Sequence, residues 1–373
     1  MGSVNKVLVV GGGPSGMSLA ICLRRAEVEV DLVDRDPQWL PVGAGLSLNG
    51  ASLRAFQRVG VLEQLRSAGH LHSGFELLDL NGRLLHSISP PPDPTGVPGG
   101  GGILRPVLHQ ILAEETRRLG TQIRLGVSLA WLHDQGSRVR VGSTDGVERS
   151  YDLVVGADGL HSQVRGLVFP DAPRPRFTGQ GCWRAVFDRP PELDRVQMFM
   201  DTHHKAGLNP VSRDEMYMFL LEHVPDNPRM PEEQWVELLA QRLTPFGGIW
   251  PALRARLSGR SRVNYRPLET LLLPAPWFRG RVLVIGDAAH GTTPHAAYGC
   301  GLAVEDAIVL AEELAEEASL DSALGRFMQR RFERCKAVVE GSAKLGDLEM
   351  AHAPLSEHQG ATAALARTIA QPI

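Results

Sequence analysis

Apolar positions in this chain fall into short blocks separated by Gly- and Pro-rich punctuation, and the blocks follow two different periods. Val7 to Val10 is a continuous β-branched and aliphatic run with no polar alternation, the pattern of a strand buried on both faces. Met17, Ala20, Ile21 and Arg24 follow at three- and four-residue spacing and predict a helix. A second buried strand, Val28 to Val33, ends on Asp34. The same buried-strand signature returns at Leu153 to Val155 and at Val282 to Ile285. These blocks predict a parallel sheet covered by helices.

The middle of the chain changes character. Gly181 to Phe187, Arg195 to Met200 and Met216 to Glu222 are short strand-like runs, and Glu232 to Leu243 has the period of an amphipathic helix. The pattern predicts an α/β protein: a Rossmann-like nucleotide-binding domain with an inserted antiparallel-sheet domain. The expected division gives 1–75, 101–175 and 281–320 to the nucleotide-binding domain and 76–100 and 176–280 to the inserted one. Residues 321–373 form a C-terminal helical segment, with Phe327, Arg331, Arg334 and Val338 at turn spacing, read as a packing or dimer-contact element. Residues 89–102, SPPPDPTGVPGGGG, are expected to be a loop and neither helix nor strand.

Composition narrows the function classes. Over 373 residues the formal net charge is −3, which lacks the basic excess that nucleic acid or an anionic membrane surface would require. No apolar run approaches the ~18 residues needed to cross a bilayer, and the chain starts directly on its first strand, so a cytoplasmic protein is expected. Its four cysteines, Cys22, Cys182, Cys300 and Cys335, have no CxxC spacing, so neither a disulfide framework nor a metal site is expected. His203 and His204, taken as neighbours on a strand, would point to opposite faces and not chelate together.

The first chemistry-bearing motif is Gly11-Gly-Gly-Pro-Ser-Gly16, a GxGxxG through Gly11, Gly13 and Gly16. Gly11 suits a tight turn, Gly13 admits a pyrophosphate close to the backbone, and Gly16 lets helix pack on strand. Free N–H groups at the helix start bind phosphates, and Asp34 is placed for ribose hydroxyls. Strand, turn, helix, strand and acid occur in the required order, so a dinucleotide site is expected. Two later segments, YDLVVGADGLHSQVR at 151–165 and RVLVIGDAAHGTTPHAAYGCGLAVEDA at 281–307, each stop a buried strand at a Gly–Asp turn.

With these three motifs the chain resembles the class A flavoprotein monooxygenases, the family of p-hydroxybenzoate hydroxylase, over most of residues 4–330. The resemblance implies FAD as cofactor, held by Gly11, Gly13, Gly16, Asp34 and Arg35 at its ADP part. It also implies FAD contacts from Gly45 and Leu46 in the segment 42–46, from Arg105, and from the backbone at Leu129. Asp158 and Gly159 match the family's DG motif, and Gly286 and Asp287 its GD motif. Pro294, Gly299, Cys300 and Gly301 match the loop against the flavin ring. No second GxGxxG occurs, so NADH or NADPH is expected as a transient co-substrate and not as a tenant of its own domain.

The resemblance further implies O2-dependent hydroxylation of a small aromatic or heteroaromatic compound through a flavin C4a-hydroperoxide. A non-aromatic substrate (epoxidation or reduction), or an FAD-binding sensor without turnover, are the alternatives. In such proteins the inserted sheet roofs the substrate pocket, and Arg184, His204, Lys205, Tyr217 and His295, with Pro294 beside the flavin, are the candidates to act there. Arg184 or Lys205 would hold a carboxylate or phenolate, Tyr217 would donate a hydrogen bond, and a histidine would serve as base, its ordinary pKa lying near neutrality. His290 is expected to pack and hydrogen-bond within its loop. Cys300 is either packing or a redox handle. The expected partners are a small aromatic molecule and O2, with no nucleic acid and no membrane, in a monomer or homodimer.

Overall fold

A computed structural model describes residues 4–40, 43–89 and 96–373. Its organising element is a six-stranded sheet in the order Phe278–Arg279, Val282–Val284, Leu153–Gly156, Lys6–Val10, Glu29–Asp34, Gln122–Leu125. All its neighbours are parallel except the short Phe278–Arg279 edge. Val7, Val9, Leu153, Val155 and Leu283 are wholly buried. Helices cover both faces of such a sheet, which is why its strands carry no polar alternation. The Pro14–Arg25 helix leaves the central strand and packs against the Gly299–Glu316 helix, so the two outer motifs meet in the molecule's middle.

The second sheet has seven strands in the order Val263–Thr270, Arg176–Asp188, Glu215–His223, Lys205–Pro210, Val196–Met200, Phe75–Leu78, Leu84–Ile88. Its two faces do different jobs. Trp183, Ala185, Ala206, Leu208, Met216 and Met218 point to one side and form a separate apolar core with Leu239 and Leu243 of the 235–243 region and with Trp250 and Leu253. The alternate residues Arg184, Tyr217, Phe219, Lys205 and Asn209 point the other way, where Tyr217 and Asn209 meet Ser47 and Lys205 meets Glu349. The expected helix at Glu232 to Leu243 is a 3-10 turn, Glu232–Gln234, running into an α-helix, Trp235–Arg242.

A three-stranded sheet, Gly45–Asn49, Gly100–Leu104, His70–His72, joins the two. Its middle strand corrects the loop expected over 89–102. Gly100 to Gly102 are paired on both sides, and a Cβ at Gly102 would overlap the carbonyl of Pro210 and crowd Asn209. The glycine run is therefore a strand stripped of side chains so that the seven-stranded sheet can lie directly on it. Residues 90–95 of that stretch lie outside the described residues.

The 321–373 segment is two helices, Leu320–Met350 and Leu355–Ala370. Among the described residues no helix is long and apolar enough to cross a membrane.

Candidate active site

The turn after the Lys6–Val10 strand is built as its sequence requires. Gly11 has φ +109°, and a Cβ at Gly16 would overlap the Gly11 carbonyl, so both positions need glycine. Gly12 N–H donates to Asp34 Oδ2 at 2.6 Å, closing the turn onto the second strand's acid. Gly13 faces open space, leaving backbone N–H groups at the helix start free to meet a ligand. Trp39 caps this turn, its indole N–H donating to Gly12 O at 2.9 Å, a contact the motif alone did not point to. Arg35 is exposed beside it.

Asp158 accepts from the N–H groups of Gln163 (2.7 Å) and Val164 (3.1 Å) and so caps the Gln163–Val168 helix, while Gly159 has φ +80° with open space at its Cα. Gln163 Nε2 in turn donates to the Leu129 carbonyl at 2.8 Å. At the third motif Gly286 turns with φ +60° and delivers Asp287. Gly286 N–H donates to Asp306 Oδ2 at 2.9 Å. Asp306 is the centre of a buried charge network: His290 Nε2 lies 2.5 Å from its Oδ2, and Arg331 Nε donates to its Oδ1 at 2.8 Å. Burial opposes charge on all three, yet their mutual attraction wins, holding His290 protonated well above the ordinary histidine range and Asp306 down at about 2. The expectation that His290 bonds within its own loop is thereby corrected, since its partner lies on the Gly299–Glu316 helix. Cys335 closes to the same place, so carboxylate and thiol do gather at His290, but the Arg331 guanidinium already fills that carboxylate and makes the centre an ion-pair hub.

Arg105, Asp287 and Cys300 sit close enough to influence one another's charge, Arg105 and Asp287 keeping exposed surface and Cys300 half-buried, so they border a cavity open to a ligand. Burial raises the Asp287 carboxyl, offset in part by His290 and Arg105, and lowers Arg105, helped by the like charge of Arg184. Burial also pushes the Cys300 thiol up to about 12, so at neutral pH it is protonated. Gly301 packs on Ser52, where a Cβ would overlap the hydroxyl, and Gly45 meets the Tyr217 ring in the same way. Pro294 opens a short 3-10 turn, Pro294–Ala296, and Gly299 begins the following helix. Leu46 is half-buried next to Gly45. Val42 lies outside the described residues.

The inward face of the seven-stranded sheet forms the cavity's other wall. At one end Tyr217 Oη and Ser47 Oγ are 2.6 Å apart, and Asn209 Nδ2 donates to the same Ser47 Oγ at 2.8 Å. In the middle the Phe219 ring lies across Gly207, where any Cβ would strike it, and Arg184 pairs in register with Phe219. Arg184 makes no hydrogen bond among the described residues. At the other end Lys205 Nζ donates to Glu349 Oε1 at 2.6 Å. Tyr217 pairs with Asn209 and Leu221 with Lys205, four residues further along, so the two polar rows stand about 13 Å apart at ~3.3 Å per residue.

Two sequence candidates do not behave as expected. His204 is in the turn before the Lys205–Pro210 strand, not on a strand, and is half-buried, paired with Asp201 and edge-on to Phe246 on the sheet's outer side. His295 does reach the inward side, but both ring nitrogens are engaged, Nδ1 with Thr293 Oγ1 at 2.8 Å and Nε2 with Glu349 Oε2 at 3.2 Å. Neither is a free base. Ser47, Asn209 and Glu349 were missed, because a lone serine, asparagine or helical glutamate has no sequence signature until the fold brings it to the cavity.

Residues 5–342 match the family model described as "FAD binding domain". The chain belongs to this FAD-binding family. It is 33% identical over 359 residues to the 2-heptyl-3-hydroxy-4(1H)-quinolone synthase of Pseudomonas aeruginosa, covering 94% of this chain and 91% of that one. It is 32% identical over 349 residues to the aurachin C monooxygenase/isomerase of Stigmatella aurantiaca, covering 92% and 89%. In fold it matches Klebsiella pneumoniae HpxO complexed with FAD and uric acid, with TM-score 0.84 at 22% identity over 98% of this chain and 93% of that one. The protein is thus a flavoprotein monooxygenase of the p-hydroxybenzoate hydroxylase-like fold, with FAD as its cofactor. The open Gly13 cradle, the free helix start at Gly299 and the deep Asp287 are donors and space that suit this group.

Proposed function

We propose that this flavoprotein uses NAD(P)H and O2 to hydroxylate a small aromatic or heteroaromatic compound, placing one oxygen atom on the ring and releasing the other as water. The observation that carries this reading is the inward sheet face: a hydrogen-bonded Tyr217–Ser47 end, the Phe219 ring and an unpaired Arg184, all directed at the segments that hold the flavin. FAD, when bound, accepts reducing equivalents and delivers the oxygen. The chain's own residues bind and orient. Gly11, Gly13, Gly16 and Asp34 hold the ADP part, with Arg35 beside them; Leu129, Asp158 and Gly159 border it. Asp287, Arg105, Gly45, Leu46, Pro294, Gly299, Cys300 and Gly301 frame the ring.

Phe219 gives a flat apolar surface on which an aromatic substrate stacks. Arg184 faces the same space and favours the ionised form of a ring oxygen, making the ring a better nucleophile. Burial raises the Tyr217 hydroxyl above its ordinary range, so at neutral pH it is an O–H donor and not a base. Substrate ionisation then rests on Arg184, since His295 is committed to Thr293 and Glu349. The name of the Pseudomonas relative makes a 4-quinolone the first compound to try.

The test is to load the purified protein with FAD and follow NADH and NADPH oxidation with 4-hydroxyquinoline and monocyclic phenols. A substrate-dependent jump in consumption, with a product 16 mass units heavier, is expected. Flavin loading without stimulation by any aromatic compound, or stimulation without oxygen in the product, overturns the reading.

A further inference from the structure

Glu349 belongs to the C-terminal Leu320–Met350 helix, a segment whose sequence promised only packing. Its carboxylate nevertheless gathers side chains from four other elements. Oε1 accepts from Lys205 Nζ at 2.6 Å and lies 3.0 Å from His358 Nε2. Oε2 lies 3.2 Å from His295 Nε2 and accepts from Gln180 Nε2 at 3.2 Å. The side chains of Lys205 and Glu349 are each only 9% exposed. Lys205 is also the residue that sequence reasoning offered as an anchor for a substrate carboxylate.

We propose that Glu349 sets the charge selectivity of the substrate chamber: by holding Lys205 in a closed, neutral pair it denies the chamber's far end to carboxylates, so the substrate reaches that end with an uncharged group. This rests on the monooxygenase reading above and names the substrate class within it. Three observations carry it. Among the described residues, the ammonium on the inward face at that end, Lys205, is already matched by a carboxylate at hydrogen-bond distance. That carboxylate is fixed by three further partners, so it is preorganised and a diffusing carboxylate has to displace it. A second anion beside it would be repelled in a poorly hydrated setting, where like charges interact strongly.

His295 does not supply a replacement cation. Burial pushes His295 below the ordinary histidine range, and burial notwithstanding, Lys205 and its other partners hold Glu349 far down, so the pair stays charged and His295 neutral around pH 7. Arg184, without a hydrogen bond among the described residues, stands in the middle of the chamber, where a ring oxygen, and not a terminal carboxylate, meets it. The structure thus separates two cations that sequence alone treated alike: Arg184 open to substrate, Lys205 closed.

The experiment uses the FAD-loaded protein and two matched ligand pairs, 4-hydroxyquinoline with its 2-carboxylate and 4-hydroxybenzamide with 4-hydroxybenzoate. Dissociation constants come from perturbation of the flavin spectrum, with ligand-induced shifts of the unfolding midpoint as a second readout. In the wild type the acid of the responding pair should bind at least tenfold more weakly than its neutral partner. In Glu349→Gln, which keeps the shape and leaves Lys205 without a counter-charge, that ratio should move at least tenfold toward the acid. Combining it with Lys205→Met should abolish the gain. Equal binding of acid and neutral compound by the wild type overturns the proposal, and this needs no variant to fold. So does an unchanged ratio in Glu349→Gln, or a gain that survives in the double variant, which would make Arg184 the carboxylate receptor. Failure of either ring type to perturb the flavin, or to stimulate NAD(P)H oxidation, would instead sink the aromatic-substrate reading and this inference with it.

Discussion

Replacing Arg331 by methionine should damage both stability and FAD binding, though Arg331 belongs to none of the sequence motifs. Its guanidinium is wholly buried and donates from Nε to Asp306, from Nη1 to Glu305 at 2.8 Å, and from Nη2 to the Leu302 carbonyl at 3.0 Å. Methionine fills much of the volume but leaves Asp306 and Glu305 with one cation fewer. Breaking a buried pair by removing one partner costs about 3–5 kcal/mol. Unfolding entropy of ~2.1 cal/mol/K per residue gives roughly 0.8 kcal/mol/K for this chain, so the midpoint should fall by about 4–6 °C at fixed FAD concentration. The functional part follows from Asp306 Oδ2, which accepts the Gly286 N–H and thereby fixes the turn that presents Asp287. FAD affinity, measured by fluorescence titration of the apoprotein, should therefore weaken in parallel. Asp306→Asn removes the opposing charge, so the double variant should lose less than the sum of the two singles. A midpoint within 1 °C of wild type, or strict additivity of the two substitutions, would refute the account of this hub.

Asp287→Ala should lose FAD, read as the ratio of 450 nm to 280 nm absorbance after gel filtration; a yellow variant removes Asp287 from the site. Tyr217→Phe takes away the 2.6 Å contact with Ser47 and the O–H offered to substrate. Loss of about 1–3 kcal/mol lowers kcat/KM roughly 5- to 160-fold with FAD retained, and unchanged steady-state kinetics would exclude the role given to the hydroxyl. Burial pushes His72 down to about 4, below its unfolded value near 6.5. The unfolded state then binds more protons between those values, so stability falls as pH drops from 6.5 to about 4 and levels off below, by up to roughly 3 kcal/mol from this residue. His290 runs the opposite way, since its raised pKa makes its contribution fade as pH climbs through the folded value. Chemical unfolding of wild type and His72→Gln from pH 4 to 7 should show a flatter acid limb in the variant, and parallel curves would contradict the assignment.

What the sequence made legible is what local geometry dictates. The Gly11–Gly16 turn works through a positive φ, a steric overlap and a helix start, all settled within a few residues of each other, so the spacing sufficed to predict it. The Gly100–Leu104 strand fails for the opposite reason: three glycines read as a loop, and only the Pro210 carbonyl pressing on Gly102 explains why side chains are absent from a paired strand. His203 and His204 read from the sequence as neighbours on a strand, whereas Asp201 accepts both of their N–H groups and turns the chain there.

The same distinction separates the two cations offered as substrate anchors. Nothing within twenty residues of Arg184 or Lys205 tells them apart, since both are basic positions on alternating strands of one sheet. Their difference is created 144 residues downstream of Lys205, where the Leu320–Met350 helix returns to the sheet and sets Glu349 against one of them. Binding energy for the flavin is thus written in short motifs, whereas selectivity for the substrate depends on which long-range partner silences which charge. Relatives that share the motifs but differ at the position of Glu349 should therefore bind FAD alike and divide by the charge of the aromatic they accept.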